Sequence, residues 1–178
     1  MVKKLLLLVL AVLIILPTAA NAAEFKQGNR TFTLSGGGTS DKNFDSSSVS
    51  VEAHFGYFTR NNWELSFRQK IGYMKQESSV WDFTSRMAAD YYLDTVKFQG
   101  RLSGMKAFAG ASVGYQYDDS LEGNYIAGPE VGLKLFFNET TFATVMIAYN
   151  FSFEGTDDAD DSFKDGRFDY TFGIGFKF

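Results

Sequence analysis

The sequence predicts an all-β protein, an eight-stranded antiparallel up-and-down transmembrane β-barrel with a charged, side-chain-filled lumen. Three observations lead to this fold class. Residues 23–178 divide into eight segments in which apolar and polar side chains alternate, each of about ten residues, the length that a tilted strand needs to cross a bilayer. Charged residues fall on one phase of the alternation. The last segment carries a large apolar residue at every second position up to its end.

Turn-forming residues separate the eight segments. Seventeen glycines, two prolines and 17% aromatic residues suit many short strands joined by tight turns. Pro129 lies in the sixth segment and cannot donate a backbone hydrogen bond, so we expect a bulge there, near the outer rim. The predicted strands cover residues 30–40, 48–58, 63–74, 83–93, 106–117, 125–137, 142–153 and 167–178.

From the second segment to the eighth, one phase is apolar and the other holds the charges. In the third segment the apolar phase runs from Trp63 to Tyr73, and the other phase includes Glu64, Arg68 and Lys70. A soluble barrel would place its apolar side chains inside, whereas a charged interior with an apolar exterior is typical of a barrel in lipid. Lipid cannot hydrogen-bond an open sheet edge, so the sheet must close on itself.

The charged phase predicts a lumen network of seven bases and five acids. Eight strands leave an interior that side chains can fill. Because a stranded buried charge costs about 3–5 kcal/mol, we expect most of these groups to be paired or hydrated, in a plugged lumen. The network comprises Glu52, Glu64, Arg68, Lys70, Arg86, Asp90, Lys106, Glu130, Lys134, Arg167, Asp169 and Lys177.

The N-terminus predicts a cleavable signal peptide over residues 1–22. Lys3 and Lys4 precede an apolar run, Leu5–Leu16, that is shorter than the roughly 20 residues of a spanning helix. Ala20 and Ala22 then form an A-x-A cleavage site. The remaining residues, 23–178, are predicted to form one barrel domain with 15 bases and 21 acids. The sequence has no cysteine, which excludes disulfides and thiol chemistry.

The end of the chain resembles the C-terminal assembly signal of Gram-negative outer-membrane β-barrels. Alternate apolar residues lead to a terminal phenylalanine: Tyr170, Phe172, Ile174, Phe176 and Phe178. The resemblance implies insertion by the barrel assembly machinery and a place in the cell outer membrane. The whole predicted domain, including the segment 127–134, resembles the small eight-stranded group that contains the OmpX-like, OmpW-like and OmpA transmembrane-domain proteins.

Both ends of an even-stranded barrel lie on the same side of the membrane. The resemblance implies that this side is the periplasm, so four alternate loops face outward: 41–47, 75–82, 118–124 and 154–166. These loops hold thirteen acids and three bases. The last loop is the most acidic, with Glu154, Asp157, Asp158, Asp160, Asp161 and Asp165, but the spacing of these residues does not match a calcium-binding loop. We expect contacts with outer-membrane lipids and lipopolysaccharide. A more specific hypothesis is that these loops bind divalent cations weakly and that the cations bridge the loops to lipopolysaccharide phosphates. The connection 94–105 is long for an inward turn.

The function that this pattern favours is a structural or surface-interaction role for a monomeric barrel, without catalysis, cofactor or nucleic-acid partner. A narrow OmpW-like channel for small or apolar solutes is the alternative. A lipid A-modifying enzyme is the third. PagL-like deacylases carry a His-x-Ser motif, whereas this chain has Gly56 two residues after His54, its one histidine, and His54 lies on the lumen phase. A PagP-like acyltransferase needs a hollow apolar upper lumen, which twelve charges oppose.

Overall fold

Eight consecutive antiparallel strands form a closed barrel, in which β8 pairs with β1. The computed structural model describes residues 24–41, 47–75, 79–93, 104–118, 123–153 and 166–178. The predicted signal peptide, 1–22, lies outside these residues. The strands are β1 (Arg30–Asp41), β2 (Ser47–Arg60), β3 (Trp63–Lys75), β4 (Ser79–Tyr92), β5 (Met105–Asp118), β6 (Gly123–Phe136), β7 (Thr141–Phe153) and β8 (Arg167–Lys177).

All eight predicted strands are confirmed, and most of their ends agree within two residues. The largest difference is the start of β4, which begins at Ser79 rather than at residue 83. The extra residues continue the hairpin with β3, because Trp81 pairs with Tyr73 and the two rings pack with centroids 5.3 Å apart. Most of the long connection 94–105 lies outside the described residues.

The predicted bulge at Pro129 is wrong. The ladder between β6 and β7 is interrupted at Gly128 and Pro129, but the register on either side is the same: Ala127 pairs with Phe151 and Glu130 with Ala148. On the other side, Pro129 pairs with Ala111 without a shift. A missing N–H donor therefore removes ladder contacts to one neighbour without adding a residue. The register shift instead lies between Phe58 and Arg60, at the end of β2.

The two faces of the barrel wall are opposite in character. Many large apolar side chains on the outer face are exposed, from 38% for Tyr91 to 74% for Val49, whereas most charged side chains on the inner face are buried. The described residues contain no helix long and apolar enough to cross a bilayer. The fully outward apolar side chains include Leu34, Val51, Phe55, Leu65, Ile71, Met87, Val113, Val131, Ile147, Phe172 and Ile174.

Aromatic pairs lie near both rims of the outer face. We call the rim that carries Arg30 and Lys177 the terminal end, and the opposite rim the loop end. Trp63 packs on Tyr91 at the terminal end, with ring centroids 5.2 Å apart. At the loop end Tyr115 packs on Tyr125 at 5.1 Å. Such rings are typical of the two interfaces of a membrane barrel.

One polar pair interrupts the apolar outer face. Gln69 of β3 and Ser85 of β4 are register partners, and the Ser85 hydroxyl donates a hydrogen bond of 2.7 Å to the Gln69 side-chain oxygen. Both side chains are only partly exposed. Because hydrocarbon offers no replacement partner, each of these groups relies on the other.

We expect Ser85→Ala to destabilise the barrel by about 1–3 kcal/mol, because the Gln69 amide loses this partner in an apolar setting. The double variant Gln69→Leu/Ser85→Ala should recover most of this loss, since it removes both polar groups. Urea unfolding of the refolded barrel in lipid vesicles measures the effect. A single variant as stable as the wild type would mean that the pair faces water.

Candidate functional site: the charged lumen

The charged side chains of the inner face form three tiers along the lumen. The middle tier centres on Arg68 of β3, whose side chain is 1% exposed. Its guanidinium donates to both Glu130 carboxylate oxygens, at 2.6 and 3.0 Å, and to Asp90 at 2.8 Å. Glu52 of β2 is also buried and lies within electrostatic range of Arg68. One cation therefore bonds acids from β4 and β6 and lies near a third acid from β2.

The tier nearest the loop end centres on Asp169 of β8. Its carboxylate accepts a hydrogen bond from Arg86, one of 3.1 Å from Lys70 and one of 3.0 Å from the Asn150 amide. The Arg167 Nε atom lies 3.8 Å from the second carboxylate oxygen. This tier is the reverse of the middle one, with three bases around one acid.

The tier nearest the terminal end centres on Glu64 of β3, whose side chain is completely buried. The Tyr92 hydroxyl donates to this carboxylate at 2.5 Å and the Lys134 ammonium at 3.2 Å. The Thr31 hydroxyl donates to the other carboxylate oxygen, and His54 Nε2 lies 4.0 Å from it. Four strands are joined through this one carboxylate.

The charges of the three tiers balance. Four bases (Arg68, Lys70, Arg86 and Lys134) and five acids (Glu52, Glu64, Asp90, Glu130 and Asp169) are buried, and Arg167, whose side chain is 29% exposed, is the fifth base. The two remaining bases of the predicted set, Lys106 and Lys177, are only half-buried and lie at the terminal end. The Lys177 ammonium donates to the Glu24 carbonyl at 3.3 Å. The two bases in excess of the acids, Lys106 and Lys177, therefore lie where water can reach them.

The terminal end of the lumen is aromatic, which the sequence reasoning missed. A signal was available, since several strands place a large apolar residue on the lumen phase at this same rim. Phe25 could not be found in this way, because it precedes the first strand. The buried cluster consists of Phe25, Phe58, Tyr92, Phe108, Phe136, Phe142 and Met146. A charged lumen is confirmed, but the charges do not fill it alone.

His54 does not form a hydrolase-like site in the described part of the barrel. It is buried in the lumen, and its Nε2 atom has no hydrogen-bond partner. Buried hydroxyls of Thr33, Ser66 and Thr84 also lack a protein partner, which calls for internal water. Among the described residues, no group of three or more His, Asp or Glu is arranged to hold a metal ion.

The predicted assembly signal lies on the outer face of β8, at the seam with β1. Phe172, Ile174 and Phe176 are half-exposed there, and the terminal Phe178 pairs its backbone with Arg30. Tyr170 lies on the same face, stacked at 6.3 Å on Phe168. The predicted acidic loop, with Glu154, Asp157, Asp158, Asp160, Asp161 and Asp165, lies outside the described residues.

Solved structures share this architecture. OprG from Pseudomonas aeruginosa, an outer membrane protein, superimposes with a TM-score of 0.62 at 11% identity, over 86% of this chain and 97% of that one. This is the fold of the small eight-stranded outer-membrane β-barrels. Neisserial surface protein A gives 0.59 at 13% identity, over 84% of this chain and 96% of its own. Ail, the attachment invasion locus protein of Yersinia pestis, gives 0.52 at 12% identity, over 85% and 99%.

No protein-family model and no curated protein sequence matches this chain. At sequence identities of 11% to 13%, the similarity to these structures is evidence for the fold only.

Arg68→Met should lower the free energy of unfolding by about 3–5 kcal/mol, because it leaves Asp90 and Glu130 buried without their shared cation. Replacing all three charges by apolar residues, as Arg68→Met/Asp90→Leu/Glu130→Met, should restore much of that stability. Urea titrations monitored by heat-modifiable gel migration measure both. Arg30→Met is the matched control, since Arg30 is exposed and a change below about 0.5 kcal/mol is expected there. Equal midpoints for Arg68→Met and Arg30→Met would contradict a paired lumen.

Proposed function

We propose that this protein is an integral outer-membrane β-barrel with a structural or surface-interaction role, and that it neither catalyses a reaction nor forms a continuous channel. One observation carries the proposal: the lumen is blocked at successive levels along its axis. An aromatic cluster fills the terminal end, and ion-paired side chains from opposite walls meet above it. A barrel without a passage can act through its outer wall and its loops.

The outer face of the barrel supports a location in the outer membrane. The outward face is apolar along the strands, with aromatic pairs near both rims, as in known membrane barrels. The chain begins with a predicted signal peptide and ends in the alternating pattern up to Phe178. The structural similarity to OprG and Neisserial surface protein A also supports this location. We propose outer-membrane lipids and lipopolysaccharide as its surroundings, and the barrel assembly machinery as its partner during insertion.

A narrow channel is the second candidate, and one observation favours it. The unpartnered hydroxyls of Thr33, Ser66 and Thr84 lie on the lumen face of three different strands and would bind water. A chain of such waters could conduct ions only past Arg68, whose guanidinium is bonded to Glu130 across the lumen and to Asp90 of the neighbouring strand. We therefore place the closed barrel first.

Planar-bilayer recording of the purified protein separates these two candidates. We expect no discrete conductance steps, because the ion pairs of Arg68 and the terminal aromatic cluster block the axis. Insertion must be shown independently, by heat-modifiable migration of the same sample and by its recovery in the outer-membrane fraction. Regular unitary steps from correctly folded protein would replace the proposal with the channel.

Lipid A from cells that express the protein tests the enzyme class. We expect its mass spectrum to match that of cells carrying the empty vector, because His54 is buried in the lumen and cannot reach lipid. Gain or loss of an acyl chain that disappears in His54→Ala would establish catalysis and overturn this part of the proposal.

A further inference from the structure

The aromatic end of the lumen holds a ring that no strand supplies. Residues 24–29 precede β1 and fold back under the terminal end, which leaves Glu24, Lys26 and Gln27 exposed and Phe25 only 2% exposed. This is the reverse of what a solvated N-terminal tail would do. The segment therefore brings one side chain into the barrel from below.

Phe25 is bound on several sides by rings from different strands. It stacks on Phe58 of β2 with centroids 4.4 Å apart and planes within 8° of parallel. Tyr92 of β4 lies at 4.4 Å and Phe136 of β6 at 5.5 Å, both tilted. Offset-stacked and tilted contacts at these distances are the favourable arrangements of aromatic rings. Phe108 and Phe142 extend the wall behind Tyr92 and Phe136.

A cation covers the side of this aromatic cluster that faces the middle of the lumen. The Lys134 ammonium lies 5.5 Å from the Phe25 ring centroid, 5.0 Å from that of Tyr92 and 4.7 Å from that of Phe142. Each distance is within the range of cation–π attraction, which acts on aromatic faces and not on aliphatic groups of the same size. The site therefore distinguishes a π system from an alkyl group.

The wall is shaped to leave room for rings. Gly132 of β6 faces the lumen, and a Cβ there would lie 2.4 Å from the Phe108 ring. A side chain there would also collide with the Val145 carbonyl oxygen, 2.6 Å away. Glycine at this position therefore lets the Phe108 ring pack against the wall and on Tyr92.

Residues 24–29 are attached to the barrel by hydrogen bonds at the terminal rim. The Gly28 N–H donates to the Phe58 carbonyl at 2.8 Å, the Phe58 N–H to the Asn29 carbonyl at 2.9 Å and the Asn62 N–H to the Phe25 carbonyl at 3.3 Å. The Gln27 N–H donates to the Asn61 side-chain oxygen at 3.0 Å, and the Lys177 ammonium to the Glu24 carbonyl at 3.3 Å. Gly28 makes the return turn with φ at 89°, a conformation that favours glycine. A short segment held by one ring and a few hydrogen bonds can open locally without unfolding of the barrel.

We propose that the terminal end of the lumen is a binding site for a planar aromatic group, and that Phe25 is its intramolecular occupant and plug. The site is the cage formed by Phe58, Tyr92, Phe108, Phe136 and Phe142 beneath Lys134. When residues 24–29 open, the cage accepts a small neutral aromatic molecule in place of the Phe25 ring. The proposal stands on the closed end alone and does not depend on the role of the barrel.

Chemical rescue tests the cage with the purified, folded protein. Phe25→Ala should lower the urea midpoint by about 1 M, and phenol should then raise it by about 0.5 M by filling the vacated space. Cyclohexanol has a similar size and one hydroxyl but no π system, and should raise it much less. Phe55→Ala is the matched control, because Phe55 is on the outer face. Equal effects of phenol on the Phe25→Ala and Phe55→Ala variants, or of phenol and cyclohexanol on Phe25→Ala, would overturn the proposal.

Limited proteolysis tests the plug if Phe25→Ala does not fold. Trypsin cleaves after Lys26, which is exposed but belongs to the docked segment. Cleavage of the wild type should be slow, and Phe25→Leu, which keeps an apolar side chain but loses the ring, should be cut about tenfold faster. Wild-type protein cut as fast as an unstructured peptide of residues 24–29, or Phe25→Leu cut at the wild-type rate, would show that Phe25 is not the aromatic plug.

Discussion

The barrel depends on one constraint: hydrocarbon provides neither hydrogen bonds nor solvation for charge, so the closed sheet must satisfy its own polar groups. Closure is achieved at the seam between β1 and β8, where the register runs without a shift from Thr31–Lys177 to Asp41–Arg167. Because side chains alternate along each strand, the same closure turns the apolar phase outward and the charged phase inward. The Gln69–Ser85 pair follows the same rule on a small scale, since each group satisfies the other on the outer face.

Charge balance follows from that closure. Taking an ion out of water costs several kcal/mol, and a partner must offset that cost. The middle tier has more acids than bases and the tier above it more bases than acids, so the two compensate along the axis. The register places Glu52 of the middle tier opposite Lys70 of the upper one. Neutrality is therefore a property of the three tiers together and not of each pair.

Alternation alone was sufficient to predict the strands, their faces and the charges of the lumen, because a two-residue period is local information. Glu64, Arg68 and Lys70 could be assigned to the interior from β3 by itself. Which of them meet could not be predicted, since Arg68 reaches Glu130 across the barrel, 62 residues away in sequence. Phe25 was missed for a different reason. It lies outside any strand, so no period assigns it a side, and only the closed barrel creates the cage that receives it.

The aromatic cage and the charge network are one physical unit, joined at Lys134. The Lys134 ammonium is bonded to Glu64 at 3.2 Å and lies over the rings of Phe25 and Phe142. An ammonium that faced only rings would lose most of its hydration without a counter-ion, whereas Glu64 supplies the opposite charge and leaves its other side free for the rings. Tyr92 makes the same connection from the other direction, since its hydroxyl bonds Glu64 and its ring packs on Phe25. The transition from ion pairs to aromatic packing is therefore made by two side chains that belong to both, Lys134 and Tyr92.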